Sequence, residues 1–143
     1  MAAENFDLEF DGYWTEKTKG TMPSLGGIYC VYEGSYDPEK EGVAIRRLIY
    51  IGESNNVKES VSYYKNWDRW RRHVGSGNDL CFSIAPVEST FRRRVQAALV
   101  FQHKPPLNEE FKESFPFDRT TISARGKTAL LNTHFVLNGL AMK

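Results

Sequence analysis

The sequence predicts a small α/β domain with a central antiparallel three-stranded sheet flanked by helices. Three observations carry this. Runs rich in Ile, Val and Tyr, bounded by Gly, Pro and Asp, recur at residues 25–33, 47–53 and 80–86, as strands do. Apolar residues between and after these runs return at helical rather than alternating spacing. The chain has 143 residues, 41% of them hydrophobic, which suits one domain with a sizeable core, so 1–143 is taken as a single domain.

The first two strands are separated by a polar stretch, 34–45, containing Asp37, Pro38 and Gly42, which reads as a long hairpin loop and makes the pair antiparallel. Gly75, Gly77 and Asn78 open the third run and Pro86 closes it, which places a third strand beside the hairpin. Between the second and third runs, Val57, Val61 and Tyr64 form one helical stripe, and Tyr63, Trp67, Trp70 and Val74 another on a different face. This predicts two helical pieces broken near Lys65, with Asn66 capping the second. Trp67 and Trp70 are assigned to the core. Phe91, Val95, Ala98, Leu99 and Gln102 predict an amphipathic helix that Pro105 and Pro106 end. Two β-rich runs around Arg125 and Gly126 predict a hairpin within 120–137.

The formal net charge of +1 hides an uneven distribution: residues 1–45 balance to −6, 46–107 to +6, and the remainder to +1. The basic middle carries its arginines in clusters, Arg46 and Arg47, Arg69, Arg71 and Arg72, and Arg92 to Arg94. Such clusters suit phosphates, and their side chains are expected to converge on one face. Several classes are excluded. No apolar run approaches the ~20 residues of a membrane span. The N-terminus carries Glu4, Asp7 and Glu9 where a secretory leader would be basic and then apolar, so a cytoplasmic protein is expected. Cys30 and Cys81 sit in apolar runs and read as buried reduced thiols. His73, His103 and His134 lack metal-ligand spacing, no serine sits in a nucleophile elbow, and Gly126-Lys127-Thr128 lacks the upstream glycine of a P-loop.

Gly27-Ile28-Tyr29 in the first strand and Tyr50-Ile51-Gly52 in the second resemble the paired triplets of the GIY-YIG nuclease domain. Arg69 followed by Trp70 and His73 is similar to the arginine-bearing helix of that family. The stretch from Gln96, with Pro105, Pro106, Leu107 and Asn108, is similar to its later helix and Pro-x-x-Asn turn. The resemblance covers a nuclease-like core of 25–108, leaving extensions at 1–24 and 109–143. It implies a DNA endonuclease using Mg²⁺ or Mn²⁺, with DNA as partner and no membrane. One departure is central: the family's metal-binding glutamate is Gln96 here, and a neutral amide is a weaker ligand for a hard cation. Glu88, eight residues earlier and so ~12 Å along a helix, does not replace it.

The resemblance implies Tyr29, Tyr50, Arg69 and His73 as catalytic residues, Gln96 at the metal position, and Gly52 and Asn108 as phosphate or DNA contacts; the clustered charge adds Arg71, Arg72 and Arg92 to those contacts. Phosphodiester hydrolysis needs an activated water, a cation for the developing charge and a proton for the leaving oxygen. Two phenols on adjacent strands can face one site, and a basic surround would be needed to make Tyr29 a base at neutral pH. Arg69, or else Arg71 or Arg72, would grip the phosphate with its planar donors. His73, one turn on, would assist proton transfer, and Gln96 would point across the sheet toward the tyrosines. Asn108 also reads as a turn cap. The expected function is therefore a GIY-YIG-type endonuclease inactive or weakened at Gln96. The alternatives are a non-cleaving nucleic-acid-binding module and a protein-interaction domain on the same fold, with the acidic N-terminal segment as its contact surface.

Overall fold

Strand β1 (Glu4–Thr15) alternates Phe6, Leu8 and Phe10 with Asn5, Asp7 and Glu9, so one side of it is apolar. The computed structural model, which describes residues 2–37, 39 and 42–139, continues with β2 (Gly27–Asp37), β3 (Gly42–Ser54), α1 (Val57–Ser62), α2 (Tyr64–Arg71) and β4 (Asp79–Pro86). Then follow α3 (Arg92–His103), β5 (Thr120–Gly126) and β6 (His134–Leu137).

The expected three-stranded antiparallel sheet flanked by helices is not what forms. The strands make a six-stranded mixed sheet, ordered β3-β2-β4-β1-β5-β6 and curved into a half-barrel, with three α-helices among the described residues. Every neighbouring pair is antiparallel except β1 and β5, which run parallel. The physical reason is that both flanking segments supply strands with an apolar side, and these continue the sheet beyond β4. β1 joins the two halves: Asp11 to Thr15 pair with β4, while Glu4 to Phe10 pair with β5. Gly12 sits at the changeover, where a Cβ would lie 2.9 Å from the Phe82 carbonyl oxygen.

The sheet buries both faces. Ile28, Cys30 and Tyr32 face α3 together with Leu8, Phe10, Ile122 and Phe135. Tyr29, Val31, Phe82 and Ile84 face the other way, onto Val57, Val61 and Trp70 of α1 and α2. Two-sided burial explains why β2 and β4 read as continuous apolar runs. Helix α3 is buried nearly all round, and Phe115, from the segment after it, packs against Phe101 with ring centroids 6.4 Å apart. It ends at Lys104, whose left-handed backbone (φ 49°) turns the chain just ahead of Pro105.

Three local expectations are corrected. The hairpin strands extend into the presumed loop, pairing Gly34 with Ile45 and Tyr36 with Val43, because Val43 and Ile45 pack on the core; Pro38 lies outside the described residues. The helical break falls at Tyr63, not Lys65. Asn66 does not cap α2: its Nδ2 donates to the Ser60 carbonyl at 2.9 Å, while Asn56 caps α1 by accepting from the Glu59 amide at 3.2 Å. Cys30 and Cys81 are buried free thiols, and burial pushes each up to about 12. No helix among the described residues is long and apolar enough to cross a membrane.

Candidate functional site

β3 is one of the sheet's two edge strands, so its outer edge would leave the main-chain groups of Ile49 and Ile51 without partners. The turn after α3 closes that edge. Asn108 accepts from the Ile51 amide at 2.9 Å and its Nδ2 donates to the Ile51 carbonyl at 2.8 Å, while the Leu107 amide donates to the Ile49 carbonyl at 3.0 Å. One buried side-chain amide thus does the work of a neighbouring strand. Gln96, from α3, donates its Nε2 to the same Ile51 carbonyl at 3.1 Å. Arg69, from α2, donates to the Leu107 carbonyl and lies over the Tyr50 ring, 5.2 Å from its centroid. Tyr50, Arg69, Gln96 and Asn108 therefore line one pocket of about 170 Å³, joined by Glu109 and Glu110.

Beside the pocket, Tyr29 pairs in register with Gly52, and the tyrosine ring lies across that glycine. A Cβ on Gly52 would fall 2.3 Å from Tyr29 Cζ and 2.4 Å from its hydroxyl, so the close approach of the ring requires glycine. Tyr29, Tyr50 and Trp70 pack as a triangle, with centroid separations of 6.1, 5.9 and 5.8 Å. Tyr29 is only 5% exposed. Burial raises its titration well above that of a free phenol, Tyr50 and Glu53 add to the rise, and Arg69 opposes them with a smaller effect. The expected basic surround does not make Tyr29 a base: at neutral pH it remains a protonated phenol able to donate a hydrogen bond.

The other arginines do not converge here. α2 and α3 cover opposite faces of the sheet, so their clusters point apart, and Arg69 and Gln96 meet only by reaching round the β3 edge. Gln96 accordingly does not cross the sheet toward both tyrosines, but meets Tyr50 at that edge. Arg71 turns to the Asn78 carbonyl and Asp79, at 3.2 and 3.3 Å. Arg72 is the exposed C-cap of α2 and lies outside the pocket, leaving Arg69 as its guanidinium. His73 lies past that cap, exposed and outside the pocket, so the expected place on the helix beside Arg69 is corrected. Arg92 is held by the Val87 carbonyl at 2.7 Å and Asn55 at 2.6 Å, and Arg93 pairs with Glu110 at 3.2 Å. Arg94 is buried, bonded to Thr120 Oγ1 and to the carbonyls of Ala2, Asp118 and Arg119.

Sequence reasoning missed Glu109 and Glu110, whose adjacency to Asn108 was the available signal. The pocket's donors do not fit a resident divalent cation. Gln96 is neutral and its amide nitrogen is spent on Ile51, and Glu110 is paired with Arg93. Among the described residues no group of three or more His, Cys, Asp or Glu is placed to hold a metal. Comparison with protein-family models, curated proteins and solved structures finds no match.

Gly52→Ala should cost about 2 kcal/mol in urea unfolding through overpacking against Tyr29. The cost should shrink in a Tyr29→Ala background, where the obstructing ring is gone; equal costs in both backgrounds would contradict the contact.

Burial also raises Tyr32, so Tyr29 and Tyr32 both favour the neutral form in the folded chain. Their contribution to stability should be intact below the unfolded-state phenol value of about 10 and lost as pH rises above it. Urea titrations from about pH 8 to 11, with tyrosinate absorbance, should show Tyr29→Phe flattening that alkaline loss; an unchanged slope would contradict it.

Proposed function

We propose that this chain is a GIY-YIG-type DNA endonuclease domain whose metal-dependent hydrolysis is weakened or lost at Gln96, leaving a pocket that binds one DNA phosphate. The observation that carries the reading is the convergence of Tyr50, Arg69, Gln96 and Asn108, drawn from four separate segments, on a single pocket. Each was singled out by the motifs alone. Arg69 spends part of its donor fork on the Leu107 carbonyl, and its remaining N–H groups match phosphate oxygens. Tyr50 supports the guanidinium from below through its ring.

The non-cleaving form of this reading is favoured by two details. Gln96 is fitted to the site as an amide: it donates to the Ile51 carbonyl, which a carboxylate cannot do. With only Arg69 to favour the phenolate against burial, Tyr29 is held protonated and is a hydrogen-bond donor; a cation bound at a carboxylate in position 96 would be needed to bring it down to a base. The dispersal of the remaining arginines further restricts the electrostatic contact to about one phosphate.

The present chain should bind duplex DNA weakly, with little or no cutting, and Arg69→Ala should lower the slope of log K against log salt by about one unit. Gln96→Glu should nick supercoiled plasmid when Mg²⁺ or Mn²⁺ is supplied and stop when chelator is added. Adding Tyr29→Phe or Arg69→Ala should abolish the gain, because these groups act as a unit. A folded Gln96→Glu protein that cuts nothing with either cation, together with an Arg69→Ala slope equal to that of the parent, would overturn the proposal.

A further inference from the structure

Away from the pocket, β1 has an open edge. Pairing with β4 begins only at Asp11, opposite Ile84, so residues 4–10 have β5 on one side and no strand on the other among the described residues. The Glu4 amide donates to the Arg119 carbonyl and the Phe10 carbonyl accepts from the Lys127 amide, both toward the β5 side. Main-chain groups alternate in direction along a strand, so those of Asn5, Asp7 and Glu9 point to the open side. Between this edge and the chain leaving β4 lies a cleft of about 260 Å³. Its apolar walls are Phe6, Leu8, Val87 and Phe91, with Phe6 and Phe91 in ring contact at 5.2 Å. Its polar groups include three carboxylates, Glu4, Asp7 and Glu88, none in an ion pair with a described residue.

We infer that this cleft docks an extended basic peptide of a partner protein, which adds as a strand along the free edge of β1. A strand edge recognises an extended main chain by hydrogen bonds, and alternate side chains then fall into the adjoining pockets. Here alternate positions meet apolar walls and carboxylates, so the fitting segment alternates apolar residues with Lys or Arg. Charge excludes the obvious competitors. A second copy pairing through the same edge would bring two rows of Glu4 and Asp7 together, and nucleic acid would be repelled by the three carboxylates. The site uses no residue of the phosphate pocket and stands or falls without it.

The probe is an acetylated heptapeptide alternating Lys and Val, with a Glu/Val heptapeptide and a Lys/Val heptapeptide N-methylated on one edge as controls. In NMR titrations of the whole protein, the Lys/Val peptide should shift the amide signals of Asn5 to Glu9. It should also slow hydrogen exchange at the Asn5, Asp7 and Glu9 amides about tenfold or more at saturation. Glu4→Lys/Asp7→Lys, checked for folding by circular dichroism, should weaken binding at least about tenfold, and N-methylation should do the same. Absence of shifts at residues 5–9 with the Lys/Val peptide at about 1 mM would overturn the inference. So would shifts without amide protection, or equal binding by the Glu/Val or N-methylated peptide.

Discussion

The bond pair between the Asn108 amide and the backbone of Ile51 is the constraint on which the site depends. It satisfies both main-chain groups of a residue on an edge strand, at 2.9 and 2.8 Å, in a buried setting where an unmet group costs about 1 to 3 kcal/mol. It also fixes position. The turn that carries Asn108 presents the Leu107 carbonyl to Arg69, and the Ile51 carbonyl is shared with Gln96. Residues from α2 and α3, which lie on opposite faces of the sheet, are thereby brought to one edge.

That edge location reconciles two features that pull apart. Two-sided burial of β2 and β4 gives the sheet a large core and forces the arginines of α2 and α3 to separate faces. Most of them are then consumed structurally, Arg94 in holding the start of β5 and Arg92 in joining Asn55 to the chain after β4. A locally basic sequence therefore yields a pocket with a single guanidinium, bordered by two carboxylates. The same sheet, extended by β1, β5 and β6, leaves an acidic strand edge away from that pocket.

What could be read beforehand divides along physical lines. Tyr29, Gly52 and Tyr50 were legible because a strand pair and its motif residues are local, and the contact of the Tyr29 ring with Gly52 is a cross-strand relation. The final hairpin was legible from its β-rich runs. β1 was not, although Phe6, Leu8 and Phe10 alternate cleanly, because its acids were weighed as charge and not as the solvent side of a strand. The convergence of the arginines failed for a deeper reason: periodicity tells which side of a helix faces inward, but not which face of the sheet the helix covers. His73 was misplaced because the stripe running to Val74 suggested a longer helix, whereas α2 ends at Arg71. That Asn108 would act as a surrogate strand, and that burial would outweigh Arg69 at Tyr29, are tertiary facts with no local signal.

The account rests on a phosphate binding at the β3 edge, and the most direct measurement is an NMR titration of the isotopically labelled protein with a short DNA duplex. The account predicts saturable, salt-weakened shifts of the Arg69 guanidinium, the Gln96 side-chain amide and the Ile51 and Glu109 backbone signals, with Arg71 and Arg92 unmoved. Shifts centred on Arg71 or Arg92, or no shift at Arg69 and Gln96 while DNA is bound, would contradict it.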